Sequence, residues 1–241
     1  MTPEETAVGS AQTVSRLTSN FMIDMDTFVF AATKGFEDID FYFAGRGGPL
    51  GEVDADVVTA ALTFFNPETV RKAWENSAGV MSRAEAASTF AGCASTWADG
   101  HLADDALDWS QLGDLATQVV DAASPASAPL FAAWRTLPVP EDPKHRAVHQ
   151  LNALRELRMA RHGAAVVASG IDVADAVQHN TPYMMGIYGW PERELDADLG
   201  TRWDQAEALT NVATAADYAV LSEADAEQFV TLCLAASAAI D

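Results

Sequence analysis

Positive charge is scarce in this chain. Its 241 residues carry fourteen Lys and Arg against thirty-five Asp and Glu, a formal charge of −21. Such a field repels a phosphate backbone, and nucleic-acid binding needs a basic stripe that neutralises several phosphates. Nucleic acid is therefore disfavoured as a partner. Cysteine is scarce as well. Cys93 and Cys233 stand inside apolar helical patterns rather than in a CxxC or a Cys/His array, so they read as small core residues in a reducing cytoplasm. No run approaches the roughly 20 apolar residues of a membrane span. No charged region followed by an apolar one marks a secretory signal. The expected location is cytoplasmic, with no membrane partner. A Walker loop, a dinucleotide fingerprint and a GxSxG elbow are all missing, and no cofactor is expected.

Apolar residues are plentiful, at 49%, which rules out a disordered chain and allows a substantial core. Alanine is abundant, and the capping signals are those of an all-α protein with ten or more helices. An amphipathic pattern through Val14, Leu17, Phe21, Met25 and Phe28 predicts one or two helices over 8–34, stopped by Gly35. Asp54 caps a helix over 55–64, and Asn66-Pro67 opens one over 67–76. Ser82 and Glu85 form a capping box for a helix to Ala98. Further helices are predicted over 106–123 and after Pro129. A long one opens at Pro143 and closes at Gly170. Others run from Asp172 to His179, over 203–210, and from Ser222 to Ala239. Residues 211–220 admit one small β-hairpin. The proline-rich stretch at 138–143 divides the chain into regions 1–140 and 141–241, expected to form one compact unit.

Against the acidic background, residues 144–162 gather five of the fourteen Lys/Arg and three of the five histidines, with Glu156 the only acid. At about 100° per residue, His145, His149, Asn152, Glu156 and Met159 share one helix face, and Arg155, Arg158 and His162 share the next. Arginines in this setting suit a carboxylate, phosphate or enolate. A nearby histidine can move a proton near neutral pH. The candidate acid/base residues are His149 and His162, with Glu156 orienting a histidine or pairing with an arginine; Arg155, Arg158 and Asn152 are candidate ligand contacts. The alternatives are a solvated face with local ion pairs, or a buried Arg–Glu lock between helices. If the helix is functional, His149, Arg155 and Glu156 are buried, whereas Lys144 and Arg146 are exposed at its start.

His145 and His149 also have the i, i+4 spacing of two metal ligands, without the glutamate of a zinc protease. Upstream, Phe41-Tyr42-Phe43-Ala44 runs into Gly45-Arg46-Gly47-Gly48-Pro49-Leu50-Gly51. Its four glycines and proline predict a turn rather than helix interior. That turn either aims Arg46, with Tyr42 beside it, at an anion or simply connects packed helices. It is the expected partner of the cationic helix. Tyr183, Met184, Met185, Tyr188 and Trp190 form an aromatic-rich patch that packs into the core or lines an apolar pocket. The tryptophans are read as core residues.

Three stretches carry a resemblance. Phe41–Gly51 with Phe64-Phe65-Asn66-Pro67, then His149, Arg155-Glu156, Arg158 and His162, and finally Gly189-Trp190-Pro191-Glu192 with Leu221-Ser222-Glu223-Ala224 resemble the SalK-like helix-turn-helix family of actinobacteria. Leu157 stands where that family's central helix has a histidine, and Met159-Ala160-Arg161 replaces a Gly/Asp-rich triplet. The resemblance implies winged-helix-like elements and a place in specialised metabolism. Fold kinship with regulators is not by itself DNA binding, and residues 223–239 hold acids but no Lys or Arg. The leading expectation is a small-molecule-binding protein, leaning to a cofactor-independent enzyme with histidine acid/base chemistry. Its ligand would be an anionic or carbonyl-bearing metabolite, and homodimerisation is compatible with it. The alternatives are a ligand-responsive winged-helix regulator and a haem- or metal-binding protein using His149 or His145.

Overall fold

The computed structural model describes residues 1–240, and helices account for most of them. In chain order they are α1 (Pro3–Arg16), α2 (Ser19–Met22), α3 (Met25–Thr33), α4 (Asp40–Gly47), α5 (Ala55–Ala61), α6 (Pro67–Ser77) and α7 (Arg83–His101). There follow α8 (Trp109–Ala122), α9 (Pro129–Trp134), α10 (Pro143–Ala168), α11 (Val173–Asn180), α12 (Met185–Tyr188), α13 (Leu199–Tyr218) and α14 (Glu223–Ala238). Among the described residues there is no strand, only a single antiparallel bridge between Leu102 and Ile240. The capping signals work as chemistry. Asp54, Asn66, Ser82, Asp142, Asp172 and Ser222 each accept a backbone N–H of the first helical turn. Replacing such a cap by alanine costs about 1 kcal/mol.

The 26-residue α10 is the axis of the molecule, about 39 Å long at 1.5 Å per residue. It packs on α1, α7, α8, α9 and α13. Val148, Leu151, Leu154 and Leu157 join a hydrophobic cluster that draws residues from Ala7 to Ala236. Beyond them Ala165 and Val166 enter a second cluster with Phe64, Val177, Met185, Leu199 and Ala206. Tyr188 packs against both clusters, which places it on the seam between them.

Two expectations are corrected here. Residues 211–218 form no hairpin but the last two turns of α13, so no winged-helix wing arises there. The stretch from Thr201 to Tyr218 has no glycine or proline to turn on and is rich in alanine, the best helix former. Its threonines are accommodated by back-bonding: Thr210 and Thr214 donate to the carbonyls of Ala206 and Thr210, each at 2.7 Å. Likewise Gly45 and Gly47 lie within α4 rather than in a turn. Their lack of a side chain serves proximity. A Cβ on Gly45 would sit 2.4 Å from Phe90, and one on Gly48 2.5 Å from the Arg83 carbonyl. The turn itself falls to Gly51, at φ +81°.

Candidate functional site

Close packing of α4 on α7 sets Arg46 where its side chain reaches Glu156 of α10. The two form a fork-to-fork pair, Nε to Oε1 and Nη2 to Oε2, both 2.8 Å. Arg46 Nη1 also donates to the Tyr42 hydroxyl, and Trp134 Nε1 donates to the Arg46 carbonyl at 3.0 Å. Arg155 shares the same carboxylate, Nη1 to Oε1 at 2.8 Å. Glu156 is 1% exposed. Burial pushes its carboxyl upward, but the charges and hydrogen bonds of Arg46 and Arg155 outweigh this and hold it below the ordinary range. Burial pulls Arg46 down, and Glu156 reverses it to a net increase. One carboxylate thus serves two buried guanidiniums. The expected juxtaposition of the Phe41–Gly51 segment with α10 is present, as the Arg–Glu lock.

Further along α10 the same residue types meet a different environment. A cavity of about 460 Å³ opens between α1, α10, α11 and α13, with Arg158, His162, Phe64, Tyr188, Trp203 and Glu207 in its wall. Arg158 Nη2 donates to Asn211 Oδ1 at 3.1 Å and lies 3.6 Å from Glu207. Its Nη1 is enclosed without a hydrogen-bond partner. The His162 ring lies between Phe64 and Trp203, with centroids 5.6 and 5.2 Å away. Burial lowers its pKa, which Glu207 opposes and Arg158 reinforces. His162 Nδ1 is 3.0 Å from Thr210 Oγ1. That hydroxyl has already given its proton to the Ala206 carbonyl, so Nδ1 is the donor and Nε2 keeps the lone pair of a neutral imidazole.

A crevice of about 20 Å³ has part of its wall in common with this cavity, lined by Arg46, Ala61, Thr63 and Arg155 together with the shared Phe64, Met159 and Tyr188. A third groove, of about 510 Å³, runs between α3 and α7 but has no Lys or Arg in its wall.

The structure therefore sorts the sequence candidates. Arg158 and His162 share the cavity, Arg46 and Arg155 share the crevice, and Glu156 and Tyr42 belong to the lock. His149 lies elsewhere: it is buried near Trp134, ring centroids 6.3 Å apart, and burial pushes its pKa down to about 4. Thirteen residues of helix, about 20 Å of rise, separate it from His162, so the two cannot serve one reacting centre. Asn152 is 1% exposed, and both its side-chain polar atoms lack a partner.

The metal spacing is not realised. His145 Nε2 is 2.8 Å from Asp99, and among the described residues no three His, Cys, Asp or Glu converge. Lys144, expected in solvent, is 7% exposed. It bonds the Leu102 carbonyl at 3.1 Å and Asp104 at 2.6 Å, because the acidic α7–α8 connection folds over the start of α10. Arg146, also expected in solvent, is partly covered and pairs with Asp114 at 2.8 Å.

Sequence reasoning passed over Phe64, Trp203, Glu207, Thr210 and Asn211 as site residues. The signal was the i, i+4, i+7, i+8 spacing of the last four, which puts them on one face once 199–218 is a single helix.

Ten of the fourteen Lys and Arg residues are buried or paired with a carboxylate. Arg46, Arg83, Lys144, Arg155 and Arg158 are buried. Arg71, Arg146, Arg161, Arg193 and Arg202 pair with carboxylates. No helix of the described residues is long and apolar enough to cross a membrane.

Residues 11–241 match the model of a helix-turn-helix family, and the chain belongs to that family. No curated protein matches it, and neither does any solved structure.

Proposed function

We propose that this chain binds a small planar carboxylate, aromatic or unsaturated, in the cavity beneath Arg158 and His162. The observation that carries the reading is Arg158, a buried guanidinium that keeps a donor without a partner and lines a cavity faced by Phe64, Tyr188 and Trp203. A guanidinium fork suits a carboxylate. Aromatic faces suit a flat body, and about 460 Å³ falls within the usual range of ligand pockets. Neutral His162 offers a lone pair to a ligand hydroxyl, or takes a proton from an acidic carbon without a redox cofactor. The finer assignment, to a SalK-like protein of actinobacterial specialised metabolism, belongs to this proposal and rests on the resemblance of α4 and α10.

Thermal unfolding with a panel of aromatic carboxylates and matched amines tests the reading. Carboxylates raise Tm in the wild type and not in Arg158→Gln, and amines do nothing. Equal shifts with amines, or none with any carboxylate, would sink it.

The family's helix-turn-helix description favours a second reading, a ligand-responsive regulator. Helix α6 carries Arg71 and Lys72 against Glu68 and Glu75, so it has no net charge to bring to DNA. Tight, sequence-dependent binding in a low-salt gel shift would reverse this ranking.

A further inference from the structure

Arg155 is the cation that the lock does not use up. Arg46 and Arg155 carry two positive charges against the single negative charge of Glu156, and neither guanidinium has another carboxylate in reach. The surplus is expensive, because the Arg155 side chain is 9% exposed and a buried charge persists only when paired or facing a ligand. Of the Arg155 donors only Nη1 is engaged, with Glu156. Nε is enclosed without a partner, and Nη2 makes no hydrogen bond among the described residues.

Arg155 lines the crevice, whose volume of about 20 Å³ is room for a water-sized group. It admits the oxygens of an acid and excludes a ring. Phe64, Met159 and Tyr188 line both the crevice and the large cavity, so the two spaces share that wall. Arg155 and Arg158 are one turn apart on α10, about 5–6 Å between Cβ atoms.

We infer that the ligand carries two acidic groups: one on Arg158 in the cavity, the second on Arg155 in the crevice, with its planar body between them beside Tyr188. The ligand class is thus a compact dicarboxylate. This rests on the single-carboxylate reading above and narrows it. Arg155 acts here as a binding group, and Glu156, held by Arg46 from the other side, fixes its guanidinium in place.

Calorimetric titration of the full chain with benzoate and the three benzenedicarboxylate isomers separates the two levels. A charge-assisted contact of the usual strength makes at least one dicarboxylate bind about tenfold tighter than benzoate. Arg155→Gln removes that gain, so that the dicarboxylate binds no more tightly than benzoate. Ala61→Leu, which adds bulk at a residue lining the crevice and changes neither partner of the ion pairs, does the same and stands in should Arg155→Gln fail to fold. A gain that survives both variants, or survives Ala61→Leu where that alone folds, overturns the inference. Dicarboxylates no tighter than benzoate, with benzoate binding still lost in Arg158→Gln, overturn it and leave the single-anion reading standing. No binding by any of the four probes overturns both.

Discussion

Two stretches of α10, less than a turn apart, treat arginine in opposite ways. At Glu156 the chain brings Arg46 across from α4 and satisfies its guanidinium through a bidentate pair and the Tyr42 hydroxyl. At Arg158 and His162 the partners are partial, a nitrogen is left over, and open volume stands alongside. Burial is similar in the two places, so burial alone does not mark a site. What separates a structural cation from a ligand-seeking one is whether its donors are used up and whether space adjoins it.

The sharpest break of the comparison is Glu156→Gln. It leaves two buried guanidiniums without their carboxylate, and removal of one partner from a buried pair costs about 3–5 kcal/mol, read by urea denaturation at pH 7. The same pair sets an acid limit. The Glu156 carboxyl is held below its ordinary value of 4.5, so its contribution is present above that pH. It is lost as pH falls through the folded value, and Glu156→Gln flattens this part of the acid-unfolding profile. A loss below about 1 kcal/mol, no more than an ordinary hydrogen bond contributes, would mean that the lock is no lock.

Gly45→Ala comes next. Its Cβ would press on Phe90, and such overpacking costs about 1–3 kcal/mol. An unchanged melting temperature would show that α4 can draw back from α7 freely.

His149 gives a smaller, pH-dependent effect. Its pKa is pushed from 6.5 down to about 4, so below pH 6.5 the unfolded chain takes up a proton that the folded chain refuses. Stability from this residue is complete above pH 6.5 and drains as pH falls toward 4. His149→Leu should therefore lose less stability between pH 7 and pH 5 than the wild type. A steeper loss in the variant would place a charged histidine there instead.

The smallest stability effect belongs to the cavity side. Arg158→Gln removes a partly unsatisfied cation and changes stability by no more than about 1 kcal/mol, while abolishing the carboxylate-dependent rise in Tm.

The sequence was most legible where local chemistry decides. Asp54, Asn66, Ser82, Asp172 and Ser222 announce helix starts from their own side chains, and all five act as caps. Legibility failed where tertiary contact decides. The glycines of 45–48 look like turn residues until Phe90 and the Arg83 carbonyl are packed against them. Lys144 looks like a solvated helix start until Asp99 and Asp104 close over it. The cationic run on α10 pointed to the right helix, yet its residues alone cannot say which arginine is spent and which is not. That depends on α4 and α13, which lie far away in the chain. The misread end of α13 hid Asn211, the partner of Arg158.

The most direct test of the division along α10 is the arginine side-chain Nε–Hε spectrum, followed by NMR as benzoate is added to isotopically labelled protein. The resonance of Arg158 should shift saturably while that of Arg46 stays in place. An Arg158 signal that does not move, or an Arg46 signal that moves with it, would contradict the account.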